Sequence, residues 1–311
     1  MNKEAHWFWK NWRMGTELQI SGSFIYNALF LLDQMETFYY EEECFEFLYN
    51  TSVGLERLIK IAIVLTEHDK MENQEIFEKS LITHSTLDLI NRLQKNHKIN
   101  LSSPHNKFLS LIDQFYKSVR YGRFNLQSVY KKPGDKYGLI SFLNESLDIE
   151  ITTDIMNSTP VTSQIRKFLG KIIGKVTTQL FSVVQDEAYR NRTFTYEISY
   201  SSKSFKIFIA KEFDFENERI TQREAFLHLA KKRFNENIQS FIDEIPSINM
   251  GNFNTNKYIK TLFTYEKDRQ VMGEIKHLYE EDKPNMKRIE ELLILGSDTN
   301  FDNFDNIWEE E

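Results

Sequence analysis

The chain has 311 residues, 41% hydrophobic and 27% charged, with a formal net charge of -7, a size that suits two domains or one large domain with insertions. The negative balance excludes general electrostatic capture of DNA or RNA, though not a local basic patch. The single cysteine, Cys44, excludes an internal disulfide and a cysteine-rich zinc site.

Only 11 Gly and 5 Pro punctuate the chain, which favours long helices. With 25 Phe, 14 Tyr and 4 Trp, the core is expected to be built from large flat rings. The N-terminus, MNKEAHWFWKNWRMG, has aromatics but no long apolar run, so it does not read as a secretory signal. The most apolar stretch, 58–65, contains Lys60 and is far too short to span a bilayer. A cytoplasmic protein without membrane contact is the expectation.

In chain order, 24–40 reads as a first helix and 43–67 as a second, in which Leu55, Leu58, Ile59, Ala62 and Leu65 make a wide apolar face. Residues 71–97 read as a third helix or a broken pair, and 104–120 as the next, with Pro104 near its start. These four segments are enough to close a bundle. A turn at 131–136 precedes a short helix over 136–147. A long amphipathic helix over 162–188 ends near YRNR. The alternating segments 193–200 and 204–211 then predict a β-hairpin around a Ser-Lys connection. Helical periodicity returns over 222–241, an Asn-rich loop follows Pro246, and further helix begins near Lys257. The acidic tail from Ser297 carries spaced Phe, Ile and Trp.

Three groups of polar residues stand out. Glu56 and Lys60 share a helix face, Arg57 and Lys60 are also within reach, and Gly54 permits close approach by another helix. An ion pair crossing a packed seam is the plainer reading; a charged cluster beside a cleft is the functional one. Arg120 and Arg123 lie three apart among Tyr116, Tyr121 and Phe124, followed by Asn125. Guanidinium forks suit phosphate or carboxylate, and rings beside them suit a base. Arg120 paired with Glu56 is the structural alternative. Lys167, Lys171 and Lys175 recur every four residues, with Arg166 adjacent, as a basic stripe or as the solvated face of an amphipathic helix. His84 lies four residues before Asp88, which is a spacing that lets an acid orient the ring on a shared helix face. No HExxH, glycine-rich phosphate loop or dinucleotide fingerprint is present, so neither a metal nor a cofactor is expected.

The segments GLERLIK (54–60), THSTLDLI (83–90) and FYKSVRYGRF (115–124) together resemble the HEPN superfamily. That resemblance covers roughly 20–190. It implies a HEPN-like helical bundle over 20–190; with the β-hairpin plus helical extension read over 191–296 and the acidic tail over 297–311, the expected fold is mainly α. The resemblance implies an antiviral defence or stress-response protein that acts on or senses RNA or a nucleotide, with cleavage as a metal-independent endoribonuclease in one branch of the family. The other branch holds non-enzymatic partner-binding proteins, and a plain helical scaffold is the third expectation. Arg120 carries the family's arginine position, but Asn125 stands where a histidine is expected, and no histidine occurs between His105 and His228. The catalytic expectation therefore falls on Arg120 with His84 as substitute base. Glu56, Lys60, Tyr116, Arg123, Asn125 and the Lys167, Lys171, Lys175 stripe are expected to bind. A second copy of the chain or another protein is the expected partner.

Overall fold

The structure, a computed structural model, describes residues 3–70, 73–130, 134–154, 156–231, 236–245, 255–264, 269–281, 283 and 286–295. The chain divides into two compact units, Met1–Phe215 and Glu216–Glu311. In the first, α1 (Lys3–Phe8) runs through a π-helical turn at Trp9–Arg13 into α2 (Met14–Gln34). There follow α3 (Glu41–Glu67), the pair α4 (Gln74–Ser80) and α5 (Thr86–Gln94), α6 (Ser103–Lys117), α7 (Gly134–Leu147), α8 (Ser163–Asn191) and α9 (Lys203–Phe208). The stretch 71–97 is thus a broken pair, and the first helix starts ten residues earlier than its apolar run at Phe24 suggests.

The helix α3 is the pole of the bundle. It packs against α2, α5, α6, α7 and α8. Leu55, Leu58, Ile59, Ala62 and Leu65 are buried as their spacing predicts, and so are Phe47, Leu48, Ile61, Ile63 and Val64 on its other sides. A helix apolar on all sides is stable only when enclosed. Its buried hydroxyls satisfy themselves locally: Thr51, Ser52 and Thr66 donate to the carbonyls of Phe47, Leu48 and Ala62, four residues back.

Gly54 sets the α2–α3 distance. Ser21 Oγ of α2 donates to the Gly54 carbonyl at 2.7 Å, and a Cβ on Gly54 would stand 2.7 Å from Ile25 Cγ1 and 3.1 Å from the Ile25 nitrogen. No larger residue fits without parting the helices.

Local chemistry fixes the helix ends. Asn73, Ser85, Thr162 and Ser202 each accept a backbone N–H three residues on, capping α4, α5, α8 and α9. Pro104 lies in the first turn of α6. The open carbonyls at the C-terminus of α2 are met by a distant residue: Arg166 of α8 donates to Leu32 O at 3.3 Å and Met35 O at 2.8 Å. Arg166 is thereby a cap and not part of a free basic face.

The expected hairpin over 193–211 does not form, and among the described residues there is no strand, only an isolated bridge between Thr37 and Pro160. The alternation in TFTYEISY is real: Thr193 and Thr195 are buried while Phe194 is exposed. Their hydroxyls bond each other and the carbonyls of Ala188 and Lys10, however, so the segment is tied to helix ends and not to a second strand. The second half, read as a strand, is the capped helix α9, whose Ser204, Ile207 and Phe208 point inward at helical spacing.

In the second unit, α10 (Glu216–Lys231), α11 (Glu236–Glu244), α12 (Thr255–Phe263), α13 (Arg269–Glu281) and α14 (Met286–Ile294) follow in order. Phe226 meets Phe263 edge-on and Phe241 is buried, which are small-scale core contacts. The loop after Pro246 and the acidic tail from Ser297 lie outside the described residues. No described helix is long and apolar enough to cross a membrane. Cys44 is fully buried, and burial pushes its thiol up to about 12, which leaves it neutral and inert as a nucleophile.

Two predictions follow from the packing. Gly54→Ala lowers stability by ~1–3 kcal/mol in urea unfolding, because overpacking exceeds the ~1 kcal/mol gain in helix propensity; an unchanged midpoint refutes the close approach as a constraint. The second concerns His68, which is buried among His6, Trp9 and Phe77, donates from Nε2 to Gln74 Oε1 at 2.7 Å, and faces Lys10 and Asp69. Burial pushes its imidazole below the ordinary 6.5. The unfolded chain therefore takes up the proton first on acidification, and the stability His68 contributes above pH 6.5 is lost as the pH falls through that value towards the lower folded one. His68→Gln flattens this fall in unfolding free energy; an unaltered slope contradicts the assignment.

Candidate functional site

The enclosure of α3 leaves one carboxylate in a difficult position. Glu56 is 7% exposed, yet unlike the buried hydroxyls it cannot bond back to the carbonyls of its own helix. Lys60, one turn on, places Nζ 2.5 Å from Glu56 Oε1. The second partner is His84, whose Nδ1 stands 3.3 and 3.4 Å from the two carboxylate oxygens. His84 precedes Ser85, the N-cap of α5, and so lies in the link between α4 and α5 and not on a helix face with Asp88. The acid that orients it is Glu56, and Asp88 is instead 3.9 Å from Lys117. A carboxylate on Nδ1 favours the neutral tautomer with its proton there, which leaves the Nε2 lone pair free to accept. The His84 side chain is 55% exposed.

The α6 C-terminus supplies the next layer. The Tyr116 ring meets the His84 ring edge-on at 5.3 Å. Arg120, in the 3-10 segment Val119–Phe124, lays its guanidinium over Tyr116 at 3.8 Å, with Tyr121 at 4.7 Å. Burial raises the Tyr116 phenol, while its hydrogen bond with Arg120 acts in the opposite sense. Arg120 Nε is buried with no hydrogen-bond partner, and among the described residues Arg120 pairs with no carboxylate; Glu56 is engaged by Lys60 and His84 instead. One ring thus carries an acid-oriented imidazole on its edge and an uncompensated guanidinium on its face.

The remaining candidates play other parts. Arg123 grips Asp135 through both terminal nitrogens and reaches Glu41 Oε2 at 3.0 Å; the Asp135 contact, ahead of burial, holds its guanidinium further up in the charged state. Since the Asp135 side chain is 1% exposed, this pair fastens the 3-10 segment to the start of α7. Asn125 accepts the Gln127 N–H at 3.0 Å and shapes the turn. Lys167, Lys171 and Lys175 are exposed on α8, apart from the contacts that build the Glu56 cluster. Among the described residues, no three His, Cys, Asp or Glu side chains are grouped to hold a metal ion.

A second polar cluster escapes sequence reading because its members are far apart in the chain. A cleft of about 340 Å³ is lined by Thr66, Asp69, His97, Glu187, Arg190 and Asn191, among others. Its charges are matched internally: Glu187 with Arg190 at 2.6 Å and His97 at 3.5 Å, and Asp69 with the buried Lys10 at 2.6 Å. Lys10 also donates to Asn191 at 2.9 Å. This arrangement knits the π-helical turn at Trp9–Arg13, the C-terminal end of α3 and α8 together.

The contrast between the two arginines is measurable. Arg123→Ala leaves Asp135 buried without its cation and lowers stability by ~2 kcal/mol. Arg120→Ala removes ring contacts and the hydrogen bond with Tyr116 and costs about 1 kcal/mol. Equal losses in urea unfolding contradict this division of roles.

Comparison of the chain with protein-family models, with curated proteins and with solved structures finds no match.

Proposed function

We propose that the Glu56–His84–Tyr116–Arg120 cluster is an RNA-cleaving site in a HEPN-like defence or stress-response protein. The observation that supports this reading is the meeting of His84 and Arg120 on one Tyr116 ring, with a carboxylate on His84 Nδ1. Base, orienting acid and anion-binding cation are the parts that ribose transesterification needs.

The step is an in-line attack. His84 Nε2 takes the proton of a ribose 2′-hydroxyl as its oxygen bonds to the adjacent phosphorus. The bond from phosphorus to the 5′-oxygen breaks, the departing alkoxide takes a proton from water, and the hydroxide left takes the proton from His84 Nε2, which restores the base. The products are a 2′,3′-cyclic phosphate and a free 5′-hydroxyl. Arg120 stabilises the charge that builds on the phosphoryl oxygens, with the Tyr116 face fixing its plane. Glu56 positions the imidazole and Lys60 holds Glu56. No electron transfer occurs and no further reactant is required.

With defined single-stranded RNA, His84→Ala and Arg120→Ala each lower cleavage by about 100-fold or more while circular dichroism stays unchanged. Glu56→Gln lowers it less, because it leaves the base in place. Turnover that survives both His84→Ala and Arg120→Ala after repurification sinks the assignment, as does an inert wild-type chain.

A further inference from the structure

The stretch 116–132, YKSVRYGRFNLQSVYKK, holds five basic residues, Lys117, Arg120, Arg123, Lys131 and Lys132, and no acid, in a chain whose net charge is -7. Lys131 and Lys132 lie outside the described residues. Two of the other three are matched: Lys117 meets Asp113 at 3.0 Å, and Arg123 meets Asp135 and Glu41. Arg120 is the one left with rings and no carboxylate among the described residues.

Beyond Arg120, the 3-10 segments Val119–Phe124 and Leu126–Tyr130 turn their large side chains outward. Tyr121, Phe124 and Tyr130 are 58%, 88% and 93% exposed. They contribute little to the core, and exposed apolar groups concentrated in one segment mark an interaction surface. The backbone that presents them is fixed. Arg123 fastens it to Asp135, the Asn125 N–H donates to Gly122 O at 3.1 Å, and the Ser128 N–H donates to Asn125 O at 2.8 Å.

The spacing of the rings selects the occupant. A protein partner favours a continuous apolar core, whereas here Arg120, Arg123 and Asn125 flank Tyr121 and Phe124, and Gln127 and Ser128 separate the exposed Leu126 from Val129 and Tyr130. A nucleic-acid single strand offers a phosphate for Arg120 and unpaired base faces for the rings, with Asn125 within the same turn for a base edge. A duplex hides those faces. We infer that this face binds single-stranded RNA, with bases stacked on Tyr121, Phe124 and Tyr130 and a backbone phosphate on Arg120. The inference rests on the proposed function for Arg120's role and for RNA over DNA; the rings' role stands on their exposure and spacing.

Fluorescence anisotropy of the full chain tests it with a short fluorescein-labelled 2′-O-methyl RNA of mixed sequence, single-stranded and as its duplex. The blocked 2′-oxygen prevents cleavage, so binding is read apart from chemistry. The single strand is expected to bind more tightly than the duplex. Phe124→Ala and Tyr130→Ala, both at exposed positions, are each expected to weaken single-strand binding about tenfold or more and to leave duplex binding and circular dichroism unchanged. Equal binding of strand and duplex, no strand binding, or binding indifferent to both substitutions overturns the inference. So does a concentration-dependent dimer in sedimentation that Phe124→Ala abolishes without any strand binding, which makes the face an interface between copies. Cutting of the unmodified strand separates the two ideas. Ring-dependent binding without His84-dependent cutting keeps this inference and removes the functional reading. His84-dependent cutting with binding indifferent to the rings does the reverse.

Discussion

Glu56 is a charge that the backbone of α3 cannot satisfy. The other buried polar side chains of that helix bond back one turn and cost the fold little. A carboxylate has no donor on its own helix interior, and leaving it bare in an apolar core costs several kcal/mol. Lys60 answers part of this from the same helix, and His84 the rest from the α4–α5 link. That link is in turn fixed by Ser85, whose hydroxyl donates to the buried Asp113 of α6 at 3.0 Å while also accepting the Asp88 N–H. The Leu87 N–H bonds the same Asp113 oxygen at 3.1 Å. One buried acid thus fixes where the imidazole sits, and a second fixes the loop that carries it.

The α2–α3 seam makes this possible. Gly54 lets α2 lie close enough for Ser21 to reach across, and Glu56, two residues on, faces another side of the same helix. Packing and chemistry therefore share a few residues of α3, with the glycine facing one neighbour and the acid another. Arg166 does a similar service at the far end of α2, where it covers carbonyls that no local residue can reach.

Much of this was legible in the sequence where the relevant contact is local. The Glu56–Lys60 pair, the close approach at Gly54, the N-terminal proline of α6 and the apolar face of α3 all depend on spacings of a few residues. His84 was read as a candidate base, but with Asp88 as its acid, because four-residue spacing assumes a helix and Ser85 starts that helix one residue too late. Arg123 was expected to bind beside Arg120, but Asp135 and Glu41, one of them more than eighty residues away, claim it. The hairpin at 193–211 failed for a related reason. Alternation reports which side chains face inward, and here they face helix ends, whereas Ser202 caps a short helix where a second strand was expected. The cleft around Glu187 and His97 could not be seen at all, since it is assembled from three distant stretches of chain.

The attachment of the N-terminal helix has a consequence for how the first unit comes into being. Lys10 and Asn11 are buried, and their partners are Asp69, Asn191, Phe194 and Thr195. Trp7 donates to the Arg192 carbonyl as well. Residues 7–11 therefore wait for some of the last of the unit before their polar groups are met, which makes this closure long-range. Until α8 and the segment after it emerge, Lys10 has Asp69 alone and Asn11 lacks the Phe194 N–H. The two ends of the unit are thus held together by side chains about 180 residues apart in the chain.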